Sequence, residues 1–431
     1  MVKKGCLSLH YGCKVNQYET NGMIEQFLKN GYELVEWKDK ADIYVVNTCT
    51  VTNMSERKSR QALRHAKQIN PKSLVVAVGC YVQVAKEQLE RIPEIDIVLG
   101  TNEKNQIVEV IEGYKKEKEE VLSDVMNQKE FQDFGVVTYT EKTRAVIKIQ
   151  DGCDRFCSYC IIPYARGRVR SRRRENVIQE VEKMVQKGIQ EIVLTGIHLA
   201  SYGKDFKQKY ALIDLVEELN YIEGIKRIRL GSLEPTLMTE EFVARLSKLQ
   251  HICDHFHLSL QSGCNETLKR MNRHYTVEEF EEIVIRLRKV YPHCALTTDI
   301  IVGFPQETQE EFQKTYEFIK RIAFYKMHVF AYSPRKGTKA AMMPNQVESF
   351  IKQQRSNRLL DLSNQNQAEQ NERIIGQQVQ VLFEEKKENT YQGHTTNYME
   401  VKVPSEVSLE NQIKQVQIIG KEGLVLIGKC I

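Results

Sequence analysis

The sequence predicts an α/β protein of three parts: an N-terminal parallel-sheet α/β domain, a central partial (β/α)6 barrel and a small C-terminal antiparallel β-barrel. Three observations carry this expectation. The chain has 431 residues, enough at ~150 residues per domain for two or three cores. Strand-like and helix-like periods alternate as far as Ser333, the order that builds parallel sheets wrapped by helices. Past Ile375 the helical period gives way to short runs with turn residues between them, the mark of a small closed sheet.

The elements follow in order. Leu7-Ser8-Leu9 reads as a first strand, and Asn16 is placed to cap an amphipathic helix that ends at Gly31. Ile43 to Val46 is a buried-type strand, and a helix from Ser55 to Ile69 stops before Pro71. Leu74 to Val78 and Ile95 to Leu99 are further strands, closing a first domain at residues 1–114. The mixed charge run from Lys115 to Glu120 opens an expected linker at residues 115–140. In a second domain at residues 141–372, strands are expected at Ala145–Ile149, Glu191–Leu194, Arg227–Leu230, Phe256–Leu260, Leu296–Val302 and Met327–Tyr332. Helical stretches such as Glu175–Gln186, Val277–Lys289 and Glu310–Arg321 separate them, as in a partial parallel barrel. Val347 to Gln370 reads as one polar, Gln- and Asn-rich helix. A last domain at residues 373–431 has strands at Val379–Phe383, Tyr391–Gly393, Met399–Val403 and Leu424–Ile427. No repeat of solenoid type is present.

Composition bounds the function. Hydrophobic residues are 41% and charged residues 28%, a soluble globular balance that excludes disorder throughout. No apolar run approaches the ~18 residues of a membrane span, and Met1 to Cys6 lacks a signal-peptide apolar region. The expectation is a cytoplasmic protein with no membrane partner and reduced thiols. Eleven cysteines in such a chain point to metal binding or catalysis rather than disulfides. A net charge of +5 is compatible with an RNA partner.

Cys153, Cys157 and Cys160 form a CxxxCxxC run directly after a strand. Thiolates this close on one loop can each hold a corner of a cubane iron-sulfur cluster, leaving one iron open. Spacing alone also admits zinc completed by a distant His or Cys. A second set is scattered: Cys13, Cys49 and Cys80 each follow one of the first three strands. Ligands converge at the carboxyl edge of an open parallel sheet, so these three can meet in one site, although buried unreactive cysteines are common. Cys6, Cys253, Cys264, Cys294 and Cys430 have no partner at ligand spacing.

The run Cys153-Asp154-Arg155-Phe156-Cys157-Ser158-Tyr159-Cys160 resembles the defining motif of the radical S-adenosylmethionine superfamily, with Tyr159 as its aromatic. Over essentially the whole chain the sequence resembles the methylthiotransferases, which carry a second three-cysteine cluster, a radical barrel and a C-terminal TRAM RNA-binding domain. Gly12-Cys13-Lys14-Val15-Asn16-Gln17 and Asn47-Thr48-Cys49-Thr50 look like the MtaB type. The resemblance implies two 4Fe-4S clusters and S-adenosylmethionine as cofactors. It also implies tRNA, an electron donor of flavodoxin or ferredoxin type, and a sulfur donor as partners. The implied reaction is methylthiolation of C2 of N6-threonylcarbamoyladenosine at tRNA position 37. The alternatives are a methylthiotransferase for isopentenyladenosine tRNA or a ribosomal protein, and a non-enzymatic zinc-containing RNA-binding protein.

By strand-end placement and family pattern, Thr195, Gly196, Glu234, Gln261, Asp299 and Gly303, with Tyr159, are candidate cofactor contacts. No catalytic residue beyond the cluster ligands is expected. Arg166, Arg168, Arg170, Arg172, Arg173 and Arg174 crowd nine residues, a candidate phosphate-binding patch. In the last domain Lys402, Lys414 and Lys421, with Tyr391 and Tyr398, are candidate RNA contacts.

Overall fold

The computed structural model describes residues 4–7, 12–115, 119–140 and 143–431. Six parallel strands form the N-terminal sheet: β1 (Lys4–Leu7), β2 (Glu33–Leu34), β3 (Ile43–Thr48), β4 (Leu74–Gly79), β5 (Ile97–Leu99) and β6 (Glu119–Val121), in the order β2-β1-β3-β4-β5-β6. Ser8 and Leu9, expected in the first strand, lie outside the described residues. The central strands β3 and β4 are buried along nearly their whole length, as expected for a parallel sheet covered on both faces. One face packs Leu63, Ala66 and Tyr81, the other Met23, Phe27 and Ile107.

Two expectations change here. Asn16 does not cap its helix, which begins two residues earlier at Lys14, with Cys13 in the capping position. The Asn16 side chain instead donates to the Thr48 carbonyl oxygen at 3.1 Å, tying the helix start to the end of β3. The segment expected as a linker contributes β6, which pairs in parallel with β5. Its charged side chains suit an edge strand, where one side is left to water.

The second unit is a curled half barrel. Its strands are β7 (Arg144–Asp151), the short antiparallel β8 (Arg170–Ser171), β9 (Glu191–Gly196), β10 (Arg227–Leu230), β11 (His255–His257), β12 (Ala295–Val302) and β13 (Lys326–Ala331). They form two sheets, β10-β9-β7-β8 and β11-β12-β13. Parallel bridges Ile228–Ile252 and Leu233–Leu258 join the two. Helices Arg174–Gln186, Leu212–Asn220, Val277–Val290 and Gln309–Ile322 cover the outside. Alternate residues of β7 (Ala145, Ile147, Ile149) and β12 (Leu296, Ile300, Val302) face these helices in the main core. The intervening residues are left for the concave side, as the strand period of two requires.

The C-terminal unit is a closed barrel of β14 (Gln378–Lys387), β15 (Thr390–Thr395), β16 (Glu400–Pro404), β17 (Ile413–Glu422) and β18 (Val425–Cys430). Its pairs are antiparallel except β16 with β18, which is parallel. β17 is not legible in the sequence: its Gln- and Lys-rich run buries only Val416 and Ile418. The polar helix Ser349–Ile374 packs on β13 and turns its amides to use: Tyr325 Oη donates to Asn371 Oδ1, and Asn371 Nδ2 donates to the Leu424 carbonyl at 2.9 Å. Arg227 and Arg229, both paired with Glu191, donate to carbonyls of Gln380, His394 and Thr396. The small barrel thereby seals the starting ends of β9 and β10. Among the described residues no helix is long and apolar enough to cross a membrane.

Candidate functional site

The first cysteine triad sits where β7 ends. Gly152 adopts φ +71°, and a Cβ there would lie 1.8 Å from the Arg168 carbonyl oxygen, so only glycine fits. The loop closes on itself through the Cys153 amide, which donates to the Gly167 carbonyl at 3.0 Å. From the far side, Ser158 donates through its amide to Met271 O and through its hydroxyl to Arg270 O. Asn272 Nδ2 donates to the Arg155 and Phe156 carbonyls. The three sulfurs are thus carried on a loop fixed at both flanks. Cys157 Sγ accepts from Arg273 Nη1 at 3.4 Å. Burial pushes the Cys153 thiol up to about 11 and the Cys160 thiol to about 12, so a bound metal must supply the positive charge that makes them thiolates. Tyr159 joins a buried aromatic group, edge-on to Phe304 at 6.5 Å.

Four of the expected cofactor contacts, Thr195, Gly196, Glu234 and Gln261, gather on the same rim. Thr195 and Gly196 end β9, Glu234 follows β10 and Gln261 follows β11. A Cβ on Gly196 would meet the Gln150 side chain at 2.9 Å. Glu234 is 4% exposed and accepts from Arg155 Nε at 3.2 Å and from His198 Nε2. Burial opposes its ionisation, yet the His198 hydrogen bond and the Arg273 and Arg155 charges bring it down to about 2. Arg155 lies inside the cysteine loop, so this pair locks the loop to the barrel. His198, Arg155, Arg273 and Gln150 carry the geometry without having been singled out for it; His198 stood in the strand-end run Thr195-Gly196-Ile197-His198, the one signal that could have found it.

Gln261 takes φ +69° and continues the sheet: its amide donates to Asp299 O, and its carbonyl accepts from the Ile301 amide. Asp299 sits lower, in mid-strand, facing His328 Nδ1 at 3.1 Å and His257 Nε2 at 3.3 Å. Gly303 belongs to packing: at φ +66° a Cβ would lie 2.3 Å from Lys352 Cγ, and its amide donates to Glu307.

The second triad is assembled from three places. β3 and β4 pair Thr48 with Gly79, so Cys49 and Cys80, the next residues, leave the sheet side by side. Gly79 has φ +103°, and a Cβ there would stand 2.6 Å from the Thr48 carbonyl oxygen. Cys13 arrives beside them: an added Cβ on its neighbour Gly12 would be 3.3 Å from Cys49 Sγ. Cys49 and Cys80 are buried and Cys13 is exposed. Burial, with Cys80 and Cys13 nearby, raises the Cys49 thiol to about 12. Cys80 Sγ accepts from Arg166 Nε at 3.1 Å.

Both donor sets are thiols only, and each offers one sulfur to an arginine donor, the fully buried Arg166 or the half-buried Arg273, an arrangement that suits sulfur carrying negative charge on iron. Among the described residues, the group compact enough to close on one ion is His257, Asp299 and His328, with ligand atoms within 4.8 Å.

The arginine patch must be corrected. Arg166, Arg170 and Arg172 are 0–1% exposed and cannot reach a phosphate. Arg166 pairs with Glu19 and Asp151, and Arg172 with Glu180 and Asp133. Arg170, on β8, is held against Asp151 at 3.8 Å. Only Arg168, Arg173 and Arg174 are exposed, and Arg168 and Arg174 carry acidic partners. Tyr391 lies in the core of the small barrel. Tyr398 is stacked between His255 and His394, with Arg144 and Arg229 over its ring. Neither aromatic is free to stack on a base. Lys402 stays partly exposed, 3.7 Å from Glu422; Lys414 is exposed, and Lys421 pairs with Glu372. Cys253, Cys264 and Cys294 are buried singly, and Cys430 is half-buried.

Two family models match the chain: the Radical SAM superfamily over residues 147–319 and the uncharacterized protein family UPF0004 over residues 6–100. Threonylcarbamoyladenosine tRNA methylthiotransferase MtaB of Bacillus subtilis is 42% identical over 416 residues, 95% of this chain and 92% of that one. The MtaB of Aquifex aeolicus is 42% identical over 393 residues, 91% and 94% of the two chains. The tRNA-2-methylthio-N(6)-dimethylallyladenosine synthase of Moorella thermoacetica is 34% identical over 440 residues, 98% and 97%. Among solved structures, the radical S-adenosylmethionine methyltransferase TsrM of Kitasatospora setae matches with a TM-score of 0.58 at 15% identity, covering 79% of this chain and 75% of that one. That is a likeness of fold. With both cysteine triads inside the matched segments and relatives alike along almost their full length, the chain belongs to the radical S-adenosylmethionine methylthiotransferase family, on its MtaB branch.

Proposed function

We propose that this chain methylthiolates C2 of N6-threonylcarbamoyladenosine at position 37 of tRNA, giving the 2-methylthio derivative. The observation that carries the proposal is the presence of two thiol triads, with buried Arg166 joining Cys80 of one to Asp151 at the end of the strand that leads into the other, in a chain 42% identical to two MtaB enzymes. In this reading Cys153, Cys157 and Cys160 would hold a four-iron cluster that serves S-adenosylmethionine, and Cys13, Cys49 and Cys80 would hold a second. When bound, such clusters supply the electron that opens the sulfonium to a 5′-deoxyadenosyl radical, the reagent an inert adenine C2–H requires, and a place to hold the sulfur for transfer.

The chain's own residues supply position and field. Gly196 lets the Gln150 side chain pack against the end of β9, where Gln150 Oε1 accepts from the His198 amide. Glu234 stays ionised at neutral pH and offers an acceptor beside the cysteine loop, while Thr195 and Gln261 present polar groups on the same rim and Asp299 lines the concave side below them. Residues 373–431 act as the RNA-binding TRAM domain, with Lys402 and Lys414 on its surface. Arg168, Arg173 and Arg174 add basic surface beside the radical loop. The partners are tRNA, an electron donor of flavodoxin or ferredoxin type and a sulfur donor, in the cytoplasm.

Nucleoside mass spectrometry of tRNA from a strain lacking the gene tests this. The expected result is loss of the 2-methylthio nucleoside with accumulation of its unmethylthiolated precursor. Loss of 2-methylthio-isopentenyladenosine instead would transfer the substrate to that of the Moorella relative.

A further inference from the structure

Between the two triads lies a knot of buried charge. Lys104, Lys148, Arg166 and Arg170 are each 0–1% exposed, and so are the acids among them, Glu19 and Asp151. Glu19 takes hydrogen bonds from Lys104, from Lys148 at 2.7 Å and from Arg166 Nη1 at 2.7 Å. Asp151 takes them from Lys148 at 2.6 Å and Arg166 Nη1 at 3.1 Å. Burial opposes ionisation of both carboxyls, but the cations, Arg166 foremost, hold each well below the usual carboxylate range. Four cations against two carboxylates leave a surplus of positive charge in the interior. Arg170 shows the same deficit locally: its Nε and Nη1 have no hydrogen-bond partner. Buried charge is retained only where something compensates it.

The compensation has a direction. Arg166 uses Nη1 for the two acids and Nη2 for Asn16 Oδ1 and Glu19, and its remaining donor, Nε, is aimed at Cys80 Sγ at 3.1 Å. A thiol is neutral; three thiolates on a four-iron cube make an anion whose charge grows by one on reduction. Hydrogen bonds to cluster sulfur and local charge are among the levers that set a cluster's potential. We infer that Arg166 sets the reduction potential of the cluster at Cys13, Cys49 and Cys80: its N–H···S bond and the surplus positive charge around it favour the reduced form and raise the midpoint. Arg166 acts through Cys80 and is a positioning residue. The inference rests on the two-cluster reading above.

The test uses the full-length chain with Cys153→Ala, Cys157→Ala and Cys160→Ala, so that only the second triad can hold iron. It is reconstituted anaerobically and titrated by EPR, with Arg166 intact, as Arg166→Lys and as Arg166→Gln. The expected order of midpoints is Arg highest, Lys lower, because charge remains while the directed donor is lost, and Gln lowest. Pulsed EPR of the reduced Arg166 form, made with guanidinium-15N arginine, is expected to show an arginine nitrogen coupled to the cluster. This measurement does not depend on either variant folding. Equal midpoints at equal iron content, or no coupled arginine nitrogen in the Arg166 form, overturn the role of Arg166 alone. A triple-alanine chain that takes up no iron overturns the two-cluster reading, and the inference with it.

Discussion

The two cysteine triads reach a similar donor set by opposite routes. One lies within eight residues of a single loop, held by Gly152 and by hydrogen bonds with the segment around Met271 and Asn272. The other draws on a helix start and two strand ends, and depends on the register of β3 against β4. The first is therefore tied to local backbone geometry, and the second to the integrity of a whole sheet. The largest expected effects break this comparison outright. Cys157→Ala should stop S-adenosylmethionine cleavage, measured as 5′-deoxyadenosine. Cys49→Ala should stop methylthiolation while leaving some cleavage. Full modification by either variant would sink the division of labour.

A glycine pair sharpens it. Gly152→Ala and Gly79→Ala each force a side chain onto a carbonyl oxygen from a positive φ, with about 1–3 kcal/mol for the backbone conformation before the clash is counted. Each should lower iron content at its own triad only, which Mössbauer spectra of the two single variants can resolve. If Gly79→Ala emptied both sites, the buried network around Arg166 would be carrying structure as well as charge.

The arginines offer an intermediate contrast. Arg172→Glu sets a buried negative charge against Glu180 and Asp133 and should cost about 3–5 kcal/mol of stability, seen in thermal unfolding. Arg173→Glu, on the surface, should leave unfolding unchanged and weaken tRNA binding in a salt-dependent way. At the small end, Lys402→Glu should reduce tRNA affinity modestly and flatten the salt slope by ~1 if it meets one phosphate.

Acid sensitivity separates the rim from the rest. The folded Glu234 carboxyl, at about 2, lies below its unfolded value of ~4.3. Its contribution is therefore complete above the unfolded value and is lost as pH falls from there towards 2. Glu234→Gln should flatten that part of the acid-unfolding curve; an unaltered curve would mean that the His198 and Arg155 contacts add nothing net.

What was legible in the sequence was local. Strand and helix periods placed three units, because burial on one face imposes a period that short windows reveal. The misses have their own causes. β17 was hidden by exposed Gln and Lys alternating with its few buried residues, and β6 by a charge run on an edge strand. Half of the arginine run was misjudged because its partners, such as Glu19, lie 147 residues away from Arg166.

The sequence by itself determined the radical-loop triad and the order of the three units, since each depends on neighbours along the chain. Tertiary structure alone decided that Cys13, Cys49 and Cys80 meet, that Arg166 joins Cys80 to Asp151, and that His198 and Arg155 share Glu234. Charges are placed by the partners that make burial affordable, and those partners come together only when the N-terminal sheet docks on the half barrel.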